Sequence, residues 1–192
     1  MMLKKDLKTK NQLAIFDLDG TLFDTRMVNY LSYKKALNEF NAEIEYDYFA
    51  EFCNGRKYTV FLPEIIDNQH IEKVHSLKKL YYRDFLNKAI ENTHLFNIVK
   101  HIKFDYYIAL VTTASKKNTK DILCAFNKEN DFDLIVTQED ITNPKPDPEG
   151  FLCAMEHFSI QKENTIIFED SEVGIIAAQK TGASVFVVKG FA

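Results

Sequence analysis

Apolar residues along this chain fall into two kinds of pattern. The first is a short continuous run, seen at residues 13–16, 107–111, 133–137, 165–168 and 184–188. Runs this short, without alternation, suit strands buried on both faces of a parallel sheet. The second pattern recurs at helical spacing. Tyr30, Tyr33, Leu37 and Phe40 follow it, as do Val74, Leu77, Tyr81 and Phe85, and again Leu95, Ile98, Val99 and Ile102. Tyr58, Phe61, Leu62, Ile65 and Ile66 predict another short helix, begun or kinked at Pro63. Residues 116–127 read as a helix with Ile122, Leu123 and Phe126 inward. A further helix, with Phe151, Leu152, Met155 and Phe158 on one face, is expected to take Asp147 as its N-cap and Pro148 as its first residue. Gly182 is placed to end the helix that begins near Val173. Strand and helix alternate, so the predicted fold class is α/β, a doubly wound parallel sheet with right-handed crossovers.

One crossover is too long. A parallel connection needs about a dozen residues, yet the stretch between the first two strands is several times that. It is predicted to fold as an all-helical insert, which gives a core of residues 1–24 and 106–192 and a helical unit of residues 25–105.

Composition narrows the picture only a little. A 192-residue chain with 46% hydrophobic and 27% charged residues is ordinary for a globular protein. A net charge of -4 gives no reason to expect a nucleic-acid partner. The basic, polar stretch from Met1 to Gln12 lacks the apolar middle of a signal peptide, and no stretch approaches a membrane span. Cys53, Cys124 and Cys153 are odd in number and far apart, which predicts buried free thiols and a cytoplasmic location.

The chemistry collects where the apolar runs stop. The first ends in Asp17-Leu18-Asp19-Gly20-Thr21, two acids one residue apart and then a glycine that lets the backbone turn. The second ends in Thr112-Thr113-Ala114-Ser115, which either caps the following helix or offers a hydroxyl and backbone N–H groups to a phosphate. After the third comes Asn143-Pro144-Lys145-Pro146-Asp147-Pro148, which holds Lys145 on a stiff connector. The fourth ends in Glu169-Asp170-Ser171. Adjacent buried acids are costly unless a cation balances them, and a hard divalent ion such as Mg2+ accepts such oxygens. In open parallel sheets, ligands bind beyond the carboxyl ends of the strands.

Taken in this order, the four motifs resemble those of the haloacid dehalogenase-like superfamily of phosphohydrolases and phosphotransferases. The small helical insert resembles the cap of the subclass that includes β-phosphoglucomutase, phosphoglycolate phosphatases and many sugar phosphatases. The resemblance implies a Mg2+-dependent phosphatase acting through an aspartyl-phosphate. Asp17 would be the nucleophile, and Asp19 the acid and then the base. Thr112, Thr113 and Lys145 would hold the phosphoryl group. Mg2+ would be bound by Asp17, Asp170 and Glu169, with Asp19 offering only its backbone carbonyl. The cap would exclude water and choose the substrate. Its candidate contacts are Gly55 and Arg56, in a loop that reads equally as a solvated basic turn, with Arg26 a weaker candidate, while Lys116 in the core is a second candidate for a phosphate contact. His70, His75, His94 and His101 read as surface or packing residues. The implied partner is a small polar phosphomonoester such as a sugar phosphate or a surface-polysaccharide intermediate, and the chain is expected to be a monomer or weak dimer. Two alternatives stay open: a mutase that returns the phosphoryl group to a sugar, and a phospho-ligand-binding module on an inactive fold. Asp19 argues against a dehalogenase, which needs no such acid.

Overall fold

The structure, a computed structural model, describes residues 10–191. The basic segment read as carrying no signal peptide therefore lies almost wholly outside the described residues. In chain order come β1 (Gln12–Phe16), β2 (Phe23–Asp24), α1 (Arg26–Asn38), α2 (Tyr46–Tyr48), α3 (Tyr58–Phe61), α4 (Ile71–Tyr81) and β3 (Ile90–Glu91). Then follow α5 (Thr93–Ile102), β4 (Tyr106–Val111), α6 (Lys116–Ala125), β5 (Leu134–Val136), α7 (Glu149–Phe158), β6 (Thr165–Glu169), α8 (Glu172–Thr181) and β7 (Ser184–Val187). Turns of π and 3-10 helix link the shorter pieces, at Phe49–Cys53 and Tyr82–Lys88 among others.

Five strands form one parallel sheet in the order β5-β4-β1-β6-β7. The expected fold class is therefore the observed one. Residues Leu13 to Phe16 of the central strand have no exposed surface. Because strand side chains alternate, they build two separate layers. Leu13 and Ile15 pack with Ala109, Ile167, Phe151 and Ala177, the last two from α7 and α8. Ala14 and Phe16 pack with Leu110 and Phe168, and with Phe96 and Leu123 of α5 and α6. Phe16 stacks on Phe168 at 4.4 Å. Burying one such large side chain stabilises the fold by roughly 1.5–3 kcal/mol.

A third, aromatic cluster lies within the insert and includes Tyr33, Phe49, Phe61 and Val74. α1 bridges the clusters, with Val28 in the layer shared with Phe16 and Tyr33 in the insert. The helix α5, expected among the insert residues, buries Leu95, Phe96 and Val99 against the sheet instead. The chain enters and leaves the insert side by side, for β2 pairs antiparallel with β3. That small sheet is absent from the sequence reading.

Other differences are local. α1 ends at Asn38, so Phe40 lies beyond it, and Phe85 falls in the 3-10 stretch after α4. Pro148 occupies the N-cap of α7 rather than its first turn. The Asp147 carboxylate, one residue further back, still accepts the Glu149 N–H at 3.0 Å. The three cysteines are free, but only Cys53 is buried, whereas Cys124 is exposed on the outer side of α6. Gly182 ends α8 in the left-handed conformation, as expected. Among the described residues no helix is long and apolar enough to cross a membrane.

Candidate active site

Parallel pairing brings the carboxyl ends of β1, β4, β5 and β6 to one edge, and the sheet's hydrogen bonds hold the first residues past those ends. The Asp17 N–H donates to the Phe168 carbonyl and the Thr112 N–H to the Val136 carbonyl, each at 3.0 Å. Gly20, at φ +94°, turns the chain, and a Cβ there would lie 2.1 Å from Asp170 Oδ2. Glycine thus satisfies both the backbone angle and the close approach of a carboxylate. Thr21 Oγ1 donates to that carboxylate at 2.8 Å.

Lys145 sits among the acids. Its Nζ donates to Asp17 Oδ1 at 2.5 Å, to Glu169 Oε2 at 2.6 Å and to the Val111 carbonyl at 3.3 Å. Glu169 is wholly buried. Its Oε1 accepts from the N–H groups of Asp170 and Ser171 and from Ser171 Oγ. The start of α8 makes room for it, since a Cβ on Gly174 would lie 2.1 Å from the Glu169 carboxyl carbon. Burial raises the Asp17 pKa well above the ordinary carboxylate range, and Glu169 adds to this while Lys145 opposes it. Asp170 is pushed up to about 6, mainly by burial against the opposing Thr21 hydrogen bond. Burial alone would lower Lys145, but the charges of Asp17 and Glu169 outweigh it and hold the ammonium raised.

Carboxylate oxygens of Asp17, Glu169 and Asp170 lie within 4.8 Å of one another. Three acids around a single ammonium leave an excess of negative charge, which adds to the effect of burial in making Asp17 and Asp170 resist ionising. A hard divalent cation would remove that excess and prefers oxygen donors of this kind, so the cluster fits one.

Asp19 faces the same space from a half-buried position. Thr25 Oγ1 donates to its Oδ1, and Asn29 Nδ2 donates to Thr25 Oγ1 at 3.2 Å. Burial raises the Asp19 pKa, opposed by the Thr25 hydrogen bond. Asp17 and Asp19 open onto a cavity of about 320 Å³ between the sheet edge and the insert. The cavity is also lined by Lys145, Thr113, Gly55 and Arg56 among the residues singled out from sequence. Thr112 is buried behind this surface, its Oγ1 accepting the Ala114 N–H at 3.0 Å. Lys116 is exposed and does not line the cavity; its N–H is bonded by Glu139. Arg26 does not line it either and pairs with Asp24 at 2.7 Å.

Among the lining residues that the sequence did not mark as site residues are Asn29, Tyr33, His75 and Lys78, which bring polar groups to the cavity from the insert. All four lie on α1 or α4. His75 was read as surface or packing, and it both packs on Tyr58 and borders the cavity. Nothing in helical periodicity marks these positions, because it separates buried from exposed and not core from cavity.

Comparison with known proteins fits this geometry. The profile of the family described as haloacid dehalogenase-like hydrolase matches residues 14–188. A phosphorylated carbohydrates phosphatase of Thermotoga maritima is 27% identical over 181 residues, covering 89% of this chain and 82% of that protein. The fructose-1-phosphate phosphatase YqaB of Escherichia coli is 27% identical, covering 88% and 91%. Among solved structures, CbbY of Rhodobacter sphaeroides in complex with phosphate superposes with a TM-score of 0.83 over 94% of this chain and 87% of that one. At 19% identity it speaks for the fold alone.

Proposed function

The chain belongs to the haloacid dehalogenase-like hydrolases, and from that membership we propose that it is a Mg2+-dependent phosphatase of a small, polar phosphomonoester. The observation that carries the reading is Lys145 bridging Asp17 and Glu169 beside Asp170, with Asp19 on the same cavity.

In the proposed reaction an Asp17 carboxylate oxygen attacks phosphorus and the bond to the leaving oxygen breaks. Asp19 gives that oxygen its proton. Asp19 then takes a proton from water as the water oxygen attacks phosphorus, and the bond to Asp17 breaks to release phosphate. The raised pKa of Asp19 suits a group that must hold a proton in the first step and accept one in the second. Lys145 offsets charge on Asp17 and on the phosphoryl oxygens, which is where phosphoryl transfer most needs stabilising. The loop after β4 would supply hydroxyl and N–H donors, Thr113 from the cavity wall and Thr112 from just behind it.

Mg2+ would be held by Asp17 and Asp170 directly, by Glu169 directly or through water, and by the Asp19 backbone carbonyl. When bound it supplies charge neutralisation at the phosphoryl group. The insert would close the cavity from above and select the leaving group. The two phosphatase relatives, named for sugar phosphates, agree with a substrate of this size and polarity.

The test is phosphate release from a generic aryl phosphate with and without Mg2+. Asp17→Asn is expected to lower turnover by roughly 10³–10⁵-fold while the circular dichroism spectrum stays that of the parent. Equal activity in the variant, free of contaminating phosphatase, would contradict the assignment.

A further inference from the structure

The insert places two polar groups on the cavity that the chain itself does not balance. Lys78, on α4, is only partly accessible. It lies 5.4 Å from the ring centre of Tyr33 and 5.0 Å from that of Tyr82. Among the described residues no carboxylate pairs with it. Other withdrawn lysines do have partners, for Lys128 meets Glu91 at 2.7 Å and Lys145 meets two acids.

His75 lies one turn earlier on the same helix. Its ring stacks on Tyr58 at 3.7 Å, its Nδ1 is 3.4 Å from the Tyr33 hydroxyl, and its Nε2 is buried with no hydrogen-bond partner. Burial, with Lys79 and Lys78 nearby, lowers its pKa to about 4, so the ring is neutral near pH 7. Burial also lowers Lys78 to about 8, with Asp19 partly opposing, so most of the ammonium remains charged there. If the Tyr33 hydroxyl donates to Nδ1, the imidazole N–H sits on Nε2 as an unused donor. Leaving a buried polar group unpaired is costly, and more so for a charge.

Both side chains, with Tyr33, line the cavity on the insert side, whereas Asp17 and Lys145 lie on the sheet side. Asp19 is not the missing partner. Its charge reaches Lys78, but among the described residues it forms no ion pair with it, and its carboxylate is already held by Thr25. The cavity is at the lower end of the roughly 300–1,000 Å³ typical of small-molecule sites, so a short substrate can reach both sides.

We propose that Lys78, His75 and Tyr33 form an anion subsite for the leaving portion of the substrate, so that the preferred phosphomonoesters carry a second anionic group, a carboxylate or another phosphate. This rests on the phosphatase reading. A cation paired with an anion in a withdrawn site contributes directional, charge-assisted hydrogen bonds, which a neutral polyol cannot match.

The test compares kcat/KM on the full-length chain for two matched pairs. Glycerol 3-phosphate against 3-phosphoglycerate isolates a carboxylate, and fructose 1-phosphate against fructose 1,6-bisphosphate isolates a second phosphate. Charge-assisted hydrogen bonds of about 1.5–3 kcal/mol correspond to a preference of roughly 10- to 100-fold for the doubly anionic member of at least one pair. The pair that shows it identifies the anion. Lys78→Met should cut that ratio at least about tenfold, and Lys78→Arg should restore most of it. A merely structural lysine would depress both members of a pair alike. His75→Phe, which keeps the stack on Tyr58, should lower the ratio by a smaller factor and serves if Lys78→Met does not fold. Ratios near one in wild type for both pairs, or a preference that survives Lys78→Met, overturn the subsite. If neither pair nor the aryl phosphate is hydrolysed, the phosphatase reading fails, and calorimetry of the same compounds on the wild-type chain decides the subsite. Tighter binding of a doubly anionic member supports it, and equal or absent binding overturns it.

Discussion

The floor and the roof of one cavity solve the problem of buried charge in opposite ways. On the floor Lys145 is bonded to Asp17 and Glu169, and Glu169 is further held by the N–H groups at the start of α8. Asp17 and Glu169 stand at strand ends that the sheet's own hydrogen bonds fix. On the roof Lys78 and His75 stand on a helix of a separate aromatic cluster, and among the described residues neither forms an ion pair. Groups that must act on the same phosphoryl group in every turnover gain from being pre-assembled. Groups that recognise one leaving portion among many are satisfied only when it arrives.

That contrast can be broken from either side. The largest effect after loss of the nucleophile is expected for Lys145→Met. It should lower kcat by roughly 10²–10³-fold and, without metal, destabilise the chain by roughly 3–5 kcal/mol, because it leaves buried acids unpaired. Urea unfolding with and without Mg2+ checks this, and Mg2+ should recover part of the loss. On the roof, Phe49→Ala removes a side chain only 1% exposed. It should cost about 3–5 kcal/mol by urea midpoint and raise KM more than it lowers kcat.

Next in size is the metal itself. At a concentration about 100 times its Kd, Mg2+ should stabilise the fold by about 2.7 kcal/mol, read as a rise in Tm, and Asp170→Asn should abolish the rise. Its pH dependence has a definite sign. With its folded pKa raised to about 6, Asp170 binds more protons folded than unfolded between the usual carboxylate value and 6. Metal-free stability therefore falls as pH rises through that window, and the Mg2+ increment should be larger at pH 7 than at pH 5.

The smallest effect belongs to His75. Its folded pKa of about 4 lies below the ordinary histidine value, so the unfolded chain binds the extra proton. Its contribution is present above about pH 6.5 and is lost as pH falls toward 4. His75→Phe should flatten the fall in Tm across that window, and an unchanged slope would show that another group titrates there.

Much of this arrangement was legible beforehand, and the reason is local chemistry. The runs ending in Asp17, Thr112 and Glu169 are apolar because both faces of those strands are buried, so strand, end and acid could be read together. The helical period of α5 was equally plain, but it says which face is buried and not against what, so its place beside Phe16 rather than in the insert was hidden. The pairing of Phe23–Asp24 with Ile90–Glu91 joins residues too far apart in sequence, and too few in number, to leave a pattern. Lys78 looked like any lysine on an amphipathic helix. The approach of Tyr33 from α1, added to Tyr82 one turn on at the end of its own helix, sets its ammonium beside two rings at the cavity.

The central claim is that Asp17 becomes phosphorylated, and rapid acid quenching of the enzyme during turnover of an aryl phosphate, followed by peptide mass spectrometry, tests it directly. The account predicts one phosphoryl adduct, on the peptide containing Asp17, that forms with Mg2+ and is absent from Asp17→Asn. A steady-state adduct on any other side chain, or one that survives in Asp17→Asn, would contradict it.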